Sequence, residues 1–187
     1  MSEILSFLKK YKVKSLIIAL IILSTSGATY VSSTSKSPTK KKNIPKIEVN
    51  KPYEVIKVID GDTFEIKVDT KIVKVRMLGV DTPETVDPRK VVQCFGKIAS
   101  DKTKELLLKH SVTLETDPTQ GIVDKYGRVL AYVYRDDGLF INKYLLENGY
   151  AHEYTYNIPY QKQLEFKELA KVAQTNKLGL WDSCNSI

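Results

Sequence analysis

Three consecutive segments between Tyr53 and Val80 alternate apolar and polar residues, and this pattern constrains the fold more than any other feature of the chain. The segments are YEVIKVID (53–60), TFEIKVD (63–69) and KIVKVRMLGV (71–80). Gly61-Asp62 separates the first two and Asp69-Thr70 separates the second and third, which is the turn chemistry of antiparallel hairpins. The pattern therefore predicts a three-stranded meander.

The rest of the chain predicts a helix, two more strands and two more helices. The first helix is FGKIASDKTKELLLKH (95–110), with an inner face formed by Ile98, Ala99, Leu106 and Leu107. Strands follow at 111–117 and 128–135, and helices at 139–149 and at 159–177, with Pro159 near the first turn. Five short strands with a helix between the third and fourth fit an OB-fold barrel of α+β or mainly β class with three α-helices. An α+β sandwich is the alternative.

The first 46 residues differ in charge from the remainder. They contain nine lysines and one acid, whereas residues 47–187 contain twenty Lys and Arg against twenty-one acids, so the formal charge of +7 belongs to the N-terminal part. The basic stretch KKYKVK, the apolar run SLIIALIIL and the small residues of STSGATYVSS have the layout of an export signal. We predict a signal peptide or uncleaved membrane anchor at 1–31, a basic flexible linker at 32–46 and one folded domain at 47–187.

Acidic residues cluster where the predicted strands end. Asp60 and Asp62 flank Gly61 at the first hairpin, Asp81 follows the third strand, and Glu84 comes three residues later. In a meander the end of the third strand can lie beside the start of the second, which would bring Asp62 and Asp81 together. Two facing carboxylates repel unless a cation lies between them, and hard oxygen ligands favour Ca²⁺ or Mg²⁺.

Two arginines and one threonine extend this candidate site. Pro83 lacks an N–H and biases Thr82 towards an extended conformation, so the Thr82 carbonyl oxygen is a further candidate ligand. Arg76 and Arg128 carry planar guanidinium groups that match two phosphate oxygens. With Glu84 as a carboxylate base, the set suits phosphodiester hydrolysis, because charge that builds on the phosphoryl oxygens needs stabilisation.

Five stretches of this sequence resemble the staphylococcal nuclease (thermonuclease) family. They are VIDGDTFEI (58–66), VRMLGVDTPET (75–85), FGKIASDKTKELL (95–107), DKYGRVLAYVY (124–134) and LGLW (178–181). The resemblance implies a five-stranded OB-fold barrel with three helices and a calcium-dependent phosphodiesterase that cuts DNA and RNA to 3′-phosphate ends. Gly79 departs from the pattern, because the family's founding member has a larger apolar residue there.

The resemblance also implies a role for each residue that matches the family pattern. The Ca²⁺ ligands would be Asp62, Asp81 and the carbonyl oxygen of Thr82, with Asp60 as an acid beside them. The catalytic residues would be Arg76, Glu84 and Arg128. The substrate-binding residues, which would hold a terminal phosphate or lie against a base, would be Lys125, Tyr126, Tyr154 and Tyr156. For Tyr156, packing against the barrel is the alternative.

Cys94 and Cys184 are the two cysteines of the chain, and an even number in an exported protein permits a disulfide between them. Two independent small apolar residues are the alternative.

Three functional hypotheses follow. The first is a monomeric calcium nuclease for DNA and RNA, secreted or anchored on the outer face of the cytoplasmic membrane. The second is a catalytically silent OB-fold module that binds nucleic acid or protein. The third is a membrane-bound accessory protein that processes nucleic acid at the cell surface. Retention of Arg76, Glu84 and Arg128 together with the acids favours an enzyme, because a binding module does not need that set.

Overall fold

The structure, a computed structural model, describes residues 46–85 and 91–184 of the chain. The signal peptide or anchor predicted at 1–31 and all but the last residue of the linker predicted at 32–46 lie outside these residues and stay predictions. Within the described ranges, no helix combines the length and the apolar character needed to cross a bilayer.

Seven strands and four helices are present in the described part of the chain. The strands are β1 (Tyr53–Asp60), β2 (Thr63–Val68), β3 (Lys71–Met77), β4 (Val80–Asp81), β5 (Ser111–Glu115), β6 (Val129–Arg135) and β7 (His152–Glu153). The helices are α1 (Gly96–Leu107), α2 (Ile141–Glu147), α3 (Gln163–Thr175) and α4 (Leu180–Ser183).

Five of the strands close into a barrel in the order β1-β2-β3-β6-β5. The predicted meander is confirmed, since β2 pairs antiparallel with both β1 and β3. The β3–β6 pair is parallel, the β5–β6 pair is antiparallel, and β5 returns to β1 through the Tyr53–Val112 pair. This mixed closed barrel with three helices of seven or more residues and a fourth short one confirms the predicted OB-type fold.

The register of the meander determines where the first acids lie. Thr63 at the start of β2 is paired with Arg76 near the end of β3. Beyond this pair, the Met77 N–H donates to the carbonyl oxygen of Asp62 at 3.0 Å. Asp62 therefore lies beside the exit of β3, and the chain that leaves β3 reaches Asp81 only four residues after Met77.

The predicted third strand is longer than the observed one. β3 ends at Met77 because the backbone of Gly79 adopts a φ of +70°, which breaks the extended run before β4 begins. A Cβ at Gly79 would also lie 2.6 Å from atoms of the Phe166 and Tyr160 side chains. The absence of a side chain at this position therefore lets α3 and its preceding segment pack closely against the chain between β3 and β4.

Two details of the helix predictions are wrong. Ile98 is 54% exposed, because Ala99, Thr103, Leu106 and Leu107 form the buried face of α1 and Ile98 lies to one side of it. The last long helix begins at Gln163, and Pro159 lies in the segment before it. The inner face of α1 also carries Thr103, whose hydroxyl donates to the Gly61 carbonyl at 2.6 Å and fastens this helix to the β1–β2 turn.

Candidate active site

Arg76 lies between the two acids that the sequence predicted to face each other. Its guanidinium contacts Asp62 Oδ1 through Nη1 and donates from Nη2 to Asp81 Oδ1 at 2.7 Å. The Arg76 side chain is 15% exposed and that of Asp62 only 2%, whereas the Asp81 side chain is 47% exposed. One mostly buried cation is therefore shared by one buried and one accessible carboxylate.

The Asp62 carboxylate is saturated with donors. Besides Arg76, its Oδ1 accepts from the Thr63 hydroxyl at 2.9 Å. Its Oδ2 accepts from the Thr82 N–H at 2.9 Å and from the Thr82 hydroxyl at 3.1 Å. These bonds give the buried carboxylate several hydrogen-bond partners and hold the Thr82 peptide beside it.

Gly61 explains how Thr82 can come so close. A Cβ on Gly61 would lie 2.6 Å from the Thr82 hydroxyl oxygen and 2.7 Å from its methyl carbon. The turn DGD therefore needs its glycine for this contact.

Asp60 and Glu84 form a second pair of acids next to the first. Asp60 Oδ1 accepts from the Gly61 N–H at 2.7 Å and from the Thr85 hydroxyl at 2.9 Å. Burial raises the pKa of Asp60, those two hydrogen bonds oppose the rise, and the nearby Glu84 carboxylate adds to it. Glu84 is half-buried, and its Oε1 accepts from the Thr85 N–H at 2.9 Å.

The two predicted catalytic arginines share one environment. Burial lowers the pKa of Arg76, the hydrogen bond and charge of Asp81 oppose this, and the charge of Arg128 lowers it further. Arg76, Asp81 and Arg128 all line one cleft with a volume of about 660 Å³. Guanidinium groups match the geometry of phosphate oxygens, so two of them in one cleft suit a phosphate.

Asp124 is a functional residue that the sequence reasoning missed. Its Oδ2 accepts from Arg128 Nε at 2.6 Å, while its Oδ1 accepts from the backbone N–H groups of Tyr126 and Arg128 at 2.9 Å. A single carboxylate thus builds the turn before β6 and aims the Arg128 side chain. The signal was present in DKYGR, where an Asp precedes a Gly by three residues and an Arg by four.

The four predicted substrate-binding residues also line this cleft. The Lys125 ammonium lies 5.1 Å from the ring centroid of Tyr126 and 5.9 Å from that of Tyr156. The Tyr154 and Tyr156 rings are 6.4 Å apart, and Tyr156 is 62% exposed, which contradicts the alternative that Tyr156 packs against the barrel. Exposed rings beside a lysine form a surface on which bases can stack.

The donor set fits a hard cation, with one condition. Asp62 and Asp81 already hold a positive charge between them, and carboxylate oxygens are the ligands that Ca²⁺ prefers. The described residues contain no group of three or more His, Cys, Asp or Glu side chains arranged around a metal position, so backbone oxygen or water would complete the shell. The condition is that an ion bridging both acids would compete with Arg76 for Asp62 Oδ1 and Asp81 Oδ1.

Cys94 and Cys184 form a disulfide with Cα atoms 5.9 Å apart. It joins the residues just before α1 to the end of α4. The Cys94 neighbour Gln93 is a second residue that the sequence reasoning missed, because its side-chain oxygen accepts from the Glu84 N–H at 2.7 Å.

Comparisons with known proteins identify the family of this chain. A family model described as "Staphylococcal nuclease homologue" matches residues 74–183. The thermonuclease of Staphylococcus hyicus is 44% identical over 131 residues, which cover 70% of this chain and 76% of the relative. The thermonuclease of Staphylococcus intermedius is 42% identical over 130 residues with the same coverage. Endonuclease YncB of Bacillus subtilis (strain 168) is 41% identical over 128 residues, 67% of this chain and 59% of the relative.

Proposed function

Because this chain belongs to the staphylococcal nuclease family, we propose that it is a Ca²⁺-dependent endonuclease that hydrolyses DNA and RNA to 3′-phosphate products outside the cytoplasm. The observation that carries the proposal is the shared position of Arg76 between Asp62 and Asp81, with Arg128 in the same cleft. This arrangement offers two carboxylates for a hard cation and two guanidinium groups for a phosphodiester.

The residues in and beside the cleft divide the work of hydrolysis. A hard divalent cation bound at Asp62 and Asp81 would stabilise charge on the phosphoryl oxygens. Arg128, held by Asp124, and Arg76, once released from the acids, donate to the same oxygens as negative charge grows on them. Glu84 accepts the proton of the attacking water, whose oxygen bonds to phosphorus while the bond to the 5′ oxygen breaks.

The aromatic side of the cleft binds the rest of the substrate. Lys125 and Tyr126 lie together at the cleft and hold a terminal phosphate, and the Tyr154 and Tyr156 rings stack on bases. Stacking tolerates every base, so we propose that sequence preference is weak and that both DNA and RNA are cut.

The location of the protein rests on two features. The charged and apolar layout of residues 1–31 is that of an export signal or membrane anchor. The Cys94–Cys184 disulfide supports an oxidising compartment, because such bonds persist mainly outside the cytosol. We propose a monomer that is secreted or attached to the outer face of the membrane through its N-terminal segment.

The test is digestion of plasmid DNA and of a single-stranded RNA by the purified protein with Ca²⁺, with Mg²⁺ and with EDTA. We expect cleavage with Ca²⁺, none with EDTA, and weaker rescue by Mg²⁺. The products should resist extension by a polymerase until a phosphatase removes the 3′-phosphate.

Two variants assign the residues. Glu84→Gln and Arg128→Ala should each lose most turnover and keep the fold. The matched control is Arg135→Ala, because Arg135 is paired with the exposed Asp137. Near-normal cleavage by either site variant would refute the assignment. Binding of nucleic acid without any cleavage would instead favour the silent OB-fold module.

A further inference from the structure

Glu84 is held through its backbone by Gln93. The Glu84 N–H donates to Gln93 Oε1 at 2.7 Å, and the Gln93 N–H donates to the Glu84 carbonyl oxygen at 3.0 Å. The two bonds satisfy both backbone polar groups of Glu84. The position of the Glu84 Cα, and so the origin of its carboxylate, therefore depends on where Gln93 lies.

Gln93 is exposed, so its hydrogen bonds compete with water and fix a geometry only if its own backbone is anchored. The disulfide supplies one anchor, because the next residue, Cys94, is bonded to Cys184. Cys184 directly follows α4, in which Leu180 is buried and donates its N–H to the Gly149 carbonyl at 2.9 Å. The residue beside Gln93 is thus tied to a packed C-terminal element.

The first residue of α1 supplies a second anchor. The Gly96 N–H donates to the Gln93 carbonyl at 3.0 Å. A Cβ on Gly96 would lie 2.8 Å from the Thr85 methyl carbon and 3.1 Å from the Glu84 carbonyl oxygen. Only a residue without a side chain allows the start of α1 to approach the backbone of Glu84 and Thr85 so closely.

We propose that Gln93 and the Cys94–Cys184 disulfide, named here the Glu84 clamp, position the Glu84 carboxylate for the activation of water. This inference rests on the proposed function, in which Glu84 is the base. Gln93 is a positioning residue, since it acts through Glu84 and does not line the cleft. The clamp lets the oxidation state of two cysteines control the turnover of the enzyme.

Loss of the clamp affects the chemical step rather than substrate binding. The residues proposed to contact phosphate and base line the cleft, whereas Gln93, Cys94 and Cys184 do not. We expect Gln93→Ala to lower kcat by between about tenfold and about 100-fold, because small displacements of a reacting group cost rates of that order. The KM for a single-stranded DNA oligonucleotide should stay within about twofold, since it reflects the unchanged binding contacts.

A double-mutant cycle with Glu84→Gln separates positioning from general damage. If Gln93 acts through Glu84, Gln93→Ala causes no further loss of kcat in the Glu84→Gln background. Gln93→Glu keeps an acceptor oxygen of the same reach and should restore most of kcat. Gln174→Ala, at an exposed glutamine of α3, is the matched control and should leave kcat unchanged.

Reduction tests the disulfide part of the clamp in the full chain. Dithiothreitol gives two electrons and two protons to the bond, so that the S–S bond breaks, two thiols form and the reductant becomes a cyclic disulfide. The value of kcat should fall by a factor in the same range as for Gln93→Ala. Circular dichroism should show that the reduced protein stays folded at the assay temperature. The double variant Cys94→Ser/Cys184→Ser should have the reduced value with or without reductant.

The outcomes are distinguishable. An inactive wild-type protein, or full turnover by Glu84→Gln, would overturn the proposed function together with the clamp. Suppose that the wild type is active and Glu84→Gln is not. The clamp alone is then overturned if Gln93→Ala has the kcat of the wild type. It is also overturned if Gln93→Ala lowers kcat by the same factor in the wild-type and Glu84→Gln backgrounds. Unchanged kcat in folded, fully reduced protein overturns its disulfide part.

Discussion

Replacement of Arg76 by methionine tests how the two central acids are stabilised in the metal-free protein. Methionine keeps most of the aliphatic volume of arginine and removes the charge. The Asp62 carboxylate, whose side chain is 2% exposed, then keeps only its three neutral donors from Thr63 and Thr82. Asp81 loses its bond to Arg76 Nη2 but remains half exposed to water.

The magnitude follows from these exposures. Removal of one partner from a buried ion pair costs about 3–5 kcal/mol, and the neutral donors that remain on Asp62 place this site near the lower end. The accessible Asp81 adds less than about 1 kcal/mol. We therefore expect Arg76→Met to lower the free energy of unfolding by about 3 kcal/mol in EDTA, with Arg135→Met, at a more exposed ion pair, losing much less.

Although Arg76→Met should be the less stable protein in EDTA, it should bind Ca²⁺ more tightly than the wild type. In the wild type an ion that bridges Asp62 and Asp81 competes with Arg76 for their Oδ1 atoms, whereas in Arg76→Met this competition is absent. The variant should bind Ca²⁺ at least about tenfold more tightly, which corresponds to about 1.4 kcal/mol of the cost of displacing the guanidinium. Saturating Ca²⁺ should then restore the lost stability, because a ligand at about 100 times its Kd adds about 2.7 kcal/mol.

The assay combines urea unfolding followed by circular dichroism, with EDTA or with Ca²⁺, and calorimetric titration of Ca²⁺ into both proteins. Equal or weaker Ca²⁺ binding by Arg76→Met would refute the reasoning, because it would mean that the arginine does not occupy the position of the ion. An unchanged free energy of unfolding in EDTA would show that Asp62 does not depend on Arg76.

Three further predictions concern stability and substrate binding. Burial raises the pKa of Asp60 above its ordinary 3.8, so the native state keeps the Asp60 proton to a higher pH than the unfolded chain does. The free energy of unfolding therefore falls as the pH rises from about 4 through the raised pKa of Asp60. Asp60→Asn, which keeps an acceptor for Gly61 and Thr85, should therefore raise the Tm of the metal-free protein at pH 7, and the gain should shrink as the pH falls towards 4; a constant difference would contradict this. Loss of the disulfide, which closes a span of 90 residues, should lower the free energy of unfolding by about 2–4 kcal/mol in urea titrations of Cys94→Ser/Cys184→Ser, and an unchanged midpoint would contradict it. Tyr156→Ala removes a 62% exposed ring from the cleft and should weaken binding of single-stranded DNA by about 1–3 kcal/mol with no loss of Tm, as measured by fluorescence titration with Glu84→Gln as the inactive background.

The barrel could be predicted because each of its strands carries a local signal. β1 and β2 alternate inward and outward residues over most of their length, and the turns at Gly61 and Asp69 are visible in the sequence. The pairing of β4 with β7 could not be predicted, because two-residue strands have no period to detect. Ile98 was placed wrongly for a related reason: an apolar residue at the edge of a helix face does not show which side of that edge is buried.

The acids of the site were predictable as a group, and their connections were not. Alternation along β3 shows that Arg76 is in a strand and does not show that its guanidinium reaches two carboxylates from different segments. That outcome depends on the pairing of Thr63 with Arg76, which places Asp62 across from the arginine, and on the short path from Met77 to Asp81. The pairing is a property of the register, which the sequence specifies only through the packing of the whole sheet.

Sequence reasoning missed Asp124 and Gln93, because both act on backbone groups. Asp124 binds the N–H groups of the turn that carries Arg128, and Gln93 binds the backbone of Glu84 across nine residues. A backbone donor or acceptor leaves no trace in the identity of its own residue, so sequence reasoning that pairs side chains by charge overlooks the partner. Since buried or half-buried peptide groups must find partners, polar residues that flank a predicted catalytic segment are the first candidates for positioning it.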